Sequence, residues 1–286
     1  MTLFDLAPGA IAGILGDRMP ARAARAYRRY RHGPGAFKVD FAVEGGVPWA
    51  NPDARRAGTV HLGGTFHEIA AAERDIHAGR MPERPFVLVG QQYLADPGRS
   101  AGNIHPLWTY AHVPHGYTGD ATEAIVAQIE RFAPGFRDRI VGQAVRSTTQ
   151  MAAYNPNYIG GDIVTGAKNI RQVVLGPRLT FSPYRVGVPG MYICSAATPP
   201  GPGVDGMCGA HAAADALRYL HRHQHAGHQR TRVAGRSSYL PRVEEGEHRE
   251  HTPVVVGGLG QVELLQDAAH VLLDGSLSHE ELLRDA

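Results

Sequence analysis

The stretch between Cys194 and Ala210 holds the residues of this chain best suited to contact a ligand. Three glycines, Gly203, Gly206 and Gly209, precede an alanine-rich segment of high helix propensity. Glycine lets another molecule approach the backbone closely because it has no side chain. The first turn of a helix leaves backbone N–H groups unpaired and favours anionic groups. The pattern therefore predicts a site for an anionic or electron-rich ligand.

Gly201, Gly203 and Gly206 have the dinucleotide-binding spacing G-x-G-x-x-G. In a dinucleotide fingerprint the first glycine turns directly off a strand, and an acidic residue follows about 20 residues later. Here residues 195–200 separate the predicted strand from the first glycine, and the chain continues into a polar, histidine-rich segment. We therefore reject the dinucleotide interpretation. A glycine-rich loop without a ligand is the other alternative.

Trp108, Tyr110 and His112 alternate along a predicted strand. Alternate residues of a strand point to the same side of its sheet. The three side chains would thus line an aromatic pocket with a polar end. The alternative, which the pattern alone favours, is an ordinary packed face that contains one hydrogen-bonded histidine.

Composition restricts the class of protein. The chain of 286 residues is 43% hydrophobic and 20% charged, as in a soluble globular protein. Its formal net charge of +2 favours neither nucleic acid nor an anionic membrane surface as a partner. We expect no transmembrane helix, because no apolar run is long enough, and no signal peptide, because the start is acidic at Asp5. We predict that Cys194 and Cys208 are buried free thiols rather than a disulfide. The expected location is cytoplasmic.

Hydrophobic periodicity predicts the elements that position these residues. Strands are expected at 37–43, 59–62, 85–93, 106–113, 139–147 and 191–194, and helices at 3–15, 19–31, 65–79, 118–132 and 210–219. Thr65 and Glu68 have the spacing of a capping box. This order predicts an α+β fold, a mixed sheet with helices on one face, which suits a substrate-binding domain.

The loop after residue 191 resembles the last flavin-contacting segment of FAD-dependent oxidoreductases of the phytoene desaturase type, within the amine oxidase group. The resemblance rests on Tyr192-Ile193-Cys194-Ser195, Pro200-Gly201, Gly203-Val204, Gly206-Met207 and Gly209. It extends over most of residues 1–220, including 131–136, 154–158 and 160–163. Pro202 stands where the family has glycine, which fixes one backbone angle and removes one donor.

The resemblance implies FAD as the cofactor. The flavin-contacting residues it implies are Ser195, Gly203, Val204, Gly206 and Met207. In the family, the helix that opens near Gly206 places its amides against the pyrimidine edge of the flavin. Reduction makes that edge anionic, and a helix N-terminus stabilises the charge.

The resemblance also implies a pocket for a hydrophobic small-molecule substrate. The predicted lining is Trp108, Tyr110, His112, Tyr154 and Tyr158. The two later tyrosines precede a second pair of glycines and Asp162, and the resemblance implies that this loop lies near the cofactor.

Five segments are predicted from these patterns. They are a helical junction at 1–30, an α+β substrate-binding domain at 31–185, a flavin-contacting strand, loop and helix at 186–220, a disordered histidine-rich linker at 221–253 and a short strand, turn and helix at 254–286. The family's amino-terminal nucleotide-binding half precedes the point where residue 1 falls. A separate nucleotide-binding subunit is therefore an expected partner.

The histidines of the predicted linker are candidates for transition-metal binding, since imidazoles suit zinc, nickel and copper. They include His221, His223, His225 and His228. No cysteine or carboxylate cluster completes a site in this segment, so we predict no metal centre.

Two functions from different classes follow. The first is a partial or split FAD-dependent oxidoreductase that transfers hydride from a hydrophobic substrate to flavin. The alternative is a non-catalytic binding protein that keeps the α+β domain without a nucleotide domain. An exposed apolar patch would then seek a partner.

Overall fold

A computed structural model describes residues 1–203 and 206–234, and the side chains up to residue 222. The fold is α+β, as predicted, with both parallel and antiparallel strand pairs. Its strands are β1 Thr2–Phe4, β2 Gly35–Glu44, β3 Thr59–Leu62, β4 Val87–Gly90, β5 Ile104–Val113, β6 Ile140–Arg146 and β7 Met191–Ile193. Its helices are α1 Pro8–Leu15, α2 Ala21–Arg28, α3 Phe66–His77, α4 Thr122–Phe132, α5 Thr148–Tyr154, α6 Ile170–Leu175 and α7 Met207–Ala234. Residues 1–212 form one compact unit.

The larger sheet has five antiparallel strands in the order β3-β4-β5-β2-β6. Alternation along β2 buries Phe37, Val39 and Phe41 on one face. These side chains share a core cluster with Ile125 and Ile129 of α4. We call this side of the sheet the core face, and the side that carries Trp108, Tyr110 and His112 the aromatic face.

The smaller sheet pairs β1 with β7 in parallel, with Phe4 opposite Ile193. It has its own cluster of buried residues, which includes Ile11 of α1, Tyr27 of α2 and Ile193. Because each strand is only three residues long, this cluster rather than the strand pairing must supply most of its stability.

Local chemistry explains several element boundaries. Thr65 and Glu68 form the predicted capping box, with the Thr65 N–H donating to Glu68 Oε2 at 2.8 Å. Ser147 and Gln150 form a second one, which begins α5, a helix that the hydrophobic pattern did not predict. Helix α6 was also not predicted. Asn169 begins it by accepting from the Gln172 N–H at 3.0 Å.

Helix α7 begins earlier and ends later than the pattern indicated. Gly206, at φ +82°, turns the chain just ahead of Met207, so Gly209 lies inside the helix rather than before it. The helix continues to Ala234, into the segment predicted as a linker from residue 221. Alanine, arginine and glutamine in that segment are good helix formers despite their polarity. The rest of that linker and the predicted element at 254–286 lie outside the described residues.

No helix in the described part of the chain is both long and apolar enough to cross a membrane.

Candidate functional site

The loop after β7 is held by hydrogen bonds at both ends. At its start, the Cys194 N–H donates to the Phe4 carbonyl at 2.9 Å, which ties the loop to β1. Inside it, the N–H and hydroxyl of Thr198 both donate to the Ser195 carbonyl, at 3.0 and 2.8 Å. At its end, the Cys208 thiol lies 3.3 Å from the Thr198 carbonyl oxygen. The first turn of α7 is thereby fixed against the end of β7.

Three glycines of this loop have backbone angles that favour glycine: φ is +98° at Gly201, +83° at Gly203 and +82° at Gly206. Apart from the two chain neighbours of each glycine, a Cβ atom at any of them would meet no atom of the described residues within 4 Å. The loop therefore needs glycine for its turns and leaves open space beside its backbone.

Ser195 and His211 each carry a buried polar atom without a partner among the described residues. In Ser195, which is only 4% exposed, the atom is the hydroxyl oxygen. In His211 it is the ring nitrogen Nε2. The His211 ring lies 5.9 Å from the ring of Tyr184. A buried polar atom without a partner costs stability, so these atoms are candidates to bind a group from outside the chain.

Met207 is 38% exposed at the start of α7, and Gly203 and Gly206 are also exposed. Of the five residues predicted to contact flavin, four thus fall on one loop and the helix start that follows it. The fifth, Val204, lies outside the described residues. His211 and Tyr184 were not identified from the sequence, because neither stands in a recognisable motif.

Trp108, Tyr110 and His112 form a row of half-buried rings on the aromatic face. The ring centroids are 5.4 Å apart for Trp108 and Tyr110, and 6.0 Å apart for Tyr110 and His112. The row is therefore neither the closed core of the sheet nor a fully exposed surface.

Two cations continue the row across the sheet. Lys38 of β2 stands opposite Tyr110 on one side and opposite Arg146 of β6 on the other. Its ammonium lies 6.0 Å from the Trp108 ring, and the Arg146 guanidinium lies 4.6 Å from the ring of Tyr154. The structure thereby connects Tyr154, which is 69% exposed, to the predicted row. Tyr158 lies beyond α5, in a turn where its N–H donates to the Asn155 carbonyl at 2.8 Å.

His112 is fixed by a residue that the sequence did not indicate. Its Nδ1 lies 2.7 Å from Oε1 of Glu73 in α3. The hydrogen bond from His112 lowers the pKa of the Glu73 carboxyl, although partial burial opposes the shift. The polar end of the row is thus a charge-assisted pair whose partners lie on different elements.

An apolar pocket of about 440 Å³ adjoins this end of the row. Its lining includes Trp49, Ile69, Phe86 and Phe132. The Phe86 ring lies 5.3 Å from the His112 ring, so the pocket and the row share a boundary. No sequence motif marked it, because its walls come from separate segments.

Asp162 joins three segments near the second pair of glycines. Its side chain is fully buried, with Oδ2 accepting from the N–H groups of Gly33 and Gly166 at 2.8 and 2.7 Å, and Oδ1 accepting from Val164 at 2.9 Å. His32 Nδ1 lies 3.4 Å from Oδ2. Burial raises the pKa of Asp162, but His32 and the backbone donors outweigh it and hold the pKa below its ordinary value. This geometry indicates a structural role.

Within the described residues, no group of three histidine, cysteine, aspartate or glutamate side chains is arranged to hold a metal ion. Most of the histidine-rich segment lies beyond the side chains that the structure describes.

No known family model matches the chain. A search of curated proteins finds a distant similarity to pyridine nucleotide-disulfide oxidoreductase domain-containing protein 2 of Rattus norvegicus, 24% identical over 197 residues. The aligned part covers 63% of this chain and 33% of the rat protein, so the chain spans about a third of the length of that relative. An oxidoreductase-domain protein is thus among its distant relatives.

Proposed function

We propose that this chain is the substrate-binding and flavin-contacting part of an FAD-dependent oxidoreductase of the phytoene desaturase type. The observation that carries the proposal is the loop after β7, where three glycines at positive φ leave open space beside the backbone. The buried Ser195 hydroxyl, which has no hydrogen-bond partner among the described residues, lies in the same loop. The distant similarity to an oxidoreductase-domain protein supports the class of enzyme.

The residues of this loop fit a flavin. Bound FAD would supply the hydride acceptor, and reduction would add negative charge at its pyrimidine edge. The first-turn amides of α7, beginning at Met207, are suited to stabilise that charge. The Ser195 hydroxyl would gain a hydrogen-bond partner, which no described residue provides. Because the glycines have no side chains, the ring could approach the backbone closely.

The aromatic face is the proposed substrate side. Its half-buried rings and the adjoining apolar pocket offer a hydrophobic molecule a surface that excludes water. Glu73 would hold His112 in one orientation at the polar end. Lys38 and Arg146 would flank the rings as cations rather than as reacting groups.

The adenosine and diphosphate of FAD need a binding fold of their own. We propose that a nucleotide-binding polypeptide with G-x-G-x-x-G after its first strand supplies it. The similarity to a relative of which this chain spans a third is consistent with that arrangement.

The test is the visible absorption spectrum of the purified chain after FAD incubation and desalting, alone and co-expressed with such a polypeptide. We expect flavin absorbance in the co-expressed sample. Gly203→Ala should reduce retained flavin about tenfold, because a methyl group would block approach to the backbone. The matched control is Gly79→Ala, since Gly79 follows α3, has φ +77° and also faces open space.

The control separates backbone strain from loss of a contact, since both substitutions place alanine at a similar positive φ. Equal flavin retention by the two variants would contradict a contact at Gly203. Absence of flavin from both the single and the co-expressed samples would overturn the proposal and favour the non-catalytic binding protein.

A further inference from the structure

A pocket lined by arginines lies between α2 and the chain around α6. It encloses about 270 Å³, and its charged and aromatic lining consists of Arg22, Arg25, Arg29, Arg171, Arg178 and Tyr30. Within the part of the chain that the structure describes, the ion pairs of arginine involve other residues. Among the described residues, no carboxylate therefore forms an ion pair with an arginine of this pocket.

Helical spacing explains why three of these arginines converge. Positions 22 and 25 of α2 and position 29, the residue that caps its end, are separated by three and four residues and line the pocket together, while Ala23, Ala24 and Tyr27 are buried. Like charges at this spacing repel one another. A bound anion would replace this repulsion between arginines with attraction of each arginine to the anion.

Gln172 fixes the second wall of the pocket relative to the first. Its Oε1 accepts from the Arg31 N–H at 3.0 Å, and its Nε2 donates to the Arg31 carbonyl at 2.9 Å. The Gln172 side chain thus forms two hydrogen bonds with the backbone just after α2. Arg171, its neighbour in α6, is thereby placed across from the arginines of α2.

One hydrogen bond restrains the Arg178 guanidinium, while its Nε–H has no acceptor among the described residues. Its Nη2 donates to the Arg185 carbonyl at 2.7 Å, which restrains the guanidinium. Its Nε is buried and has no hydrogen-bond partner among the described residues. Because a buried unpaired donor is costly, this atom points to a ligand that supplies an acceptor.

We infer that this pocket binds a small molecule through a diphosphate group. The planar fork of a guanidinium matches two phosphate oxygens, and several forks can share one diphosphate. The pocket volume of about 270 Å³ leaves room for a group larger than a single water molecule, such as a diphosphate. The inference does not depend on the proposed flavin site, since the two involve different residues.

The test is calorimetric titration of the full chain with inorganic diphosphate, and separately with ADP. We expect saturable binding at one site. Arg25→Gln and Arg178→Gln should each weaken it about tenfold, through loss of a charge-assisted hydrogen bond. Arg28→Gln is the matched control, because Arg28 is exposed on the same helix but does not line the pocket.

Unchanged binding by Arg28→Gln would show that binding depends on the arginines of the pocket and not on the overall charge of α2. Tighter binding of ADP than of inorganic diphosphate would identify a nucleotide as the source of the group, and the reverse order would identify another diphosphate. Lack of saturation, or an equal loss in Arg28→Gln and Arg25→Gln, would overturn the inference. Circular dichroism of each variant checks the fold, and because Arg25 is exposed its replacement should leave the fold intact.

Discussion

The two sheets of this chain are built in opposite ways. The five-stranded sheet is antiparallel, uses residues 35–146, and buries a large shared core under α4. The two-stranded sheet is parallel and joins residues 2–4 to residues 191–193 over a smaller cluster. The first forms from segments near each other along the chain, whereas the second requires distant segments to meet.

The proposed chemistry is divided between these two constructions. The aromatic row lies on the long strand β5, whose register is fixed by ten paired residues of β2. The loop after β7, which contains Gly201, Gly203 and Gly206 and is called the glycine loop below, follows a strand of only three residues. Hydrogen bonds within the loop and to β1 fix it. The proposed substrate side therefore depends on extended strand pairing, whereas the proposed cofactor side depends on a few hydrogen bonds within one loop and to β1.

The largest expected effect is on the core of the five-stranded sheet. Phe37→Ala should lower the free energy of unfolding by about 3–5 kcal/mol, because it leaves a cavity at a residue that is only 1% exposed. Urea denaturation followed by circular dichroism measures it. Phe66→Ala, at a position that is 76% exposed, is the control, and a comparable loss there would contradict the distinction.

Ile193→Ala tests the smaller sheet. Ile193 is fully buried, and its replacement should cost about 2–4 kcal/mol of stability. If the glycine loop depends on this sheet, the same variant should also lose flavin in the co-expressed sample, whereas Phe37→Ala should affect flavin only through global unfolding. Ile14→Ala, at 55% exposure in α1, is the matched control, and equal effects of the two would show that burial at β7 is unimportant.

Asp162→Asn tests the connection between the start of β2 and the loop after α5. A carboxylate accepts from Gly33, Gly166 and Val164 at once, whereas an amide loses one acceptor oxygen, so we expect a cost of about 1.5–3 kcal/mol at neutral pH. Urea denaturation measures it. Asp138→Asn, at an exposed position, should have little effect.

The sign of the pH dependence follows from the lowered pKa of Asp162. The stabilisation by its carboxylate is fully present above the ordinary pKa of 3.8 and is lost as the pH falls through the lower folded-state pKa. The difference between the wild-type chain and Asp162→Asn should therefore shrink in acid below pH 3.8. A constant difference across this range would contradict the assignment.

The smallest expected effect is at the capping box of α3. Thr65→Ala should cost about 1 kcal/mol, because the Glu68 N–H loses its acceptor, which lies at 3.3 Å. Thermal unfolding measures the change. Thr149→Ala, at an exposed position within α5, controls for loss of a threonine and should change stability by a few tenths of a kcal/mol.

Features that depend on residues close together in the sequence could be predicted, whereas features that depend on distant residues could not. The alternation along β2 and the capping box at Thr65 depend on neighbouring residues, and both predictions are confirmed. Helix α5 was missed because it is short and polar, although its capping residue, Ser147, carried a usable signal.

The partners of the candidate site residues were harder to predict because they come from distant segments. Glu73 lies 39 residues from its partner His112, and Gly33 lies 129 residues from Asp162, so only the tertiary fold brings them together. The arginines at 22, 25 and 29 belong to no sequence motif, and only the position of α6 shows that they line a pocket.

The pairing of β1 with β7 makes the larger sheet an insertion within the smaller one. During synthesis, Phe4 emerges before every strand of the larger sheet, and its register partner Ile193 emerges after all of them. The entropy lost on closing so long a loop is smaller once the inserted sheet has folded and shortened the path between its ends. Strand β1 therefore acquires its partner only after the whole larger sheet has been synthesised.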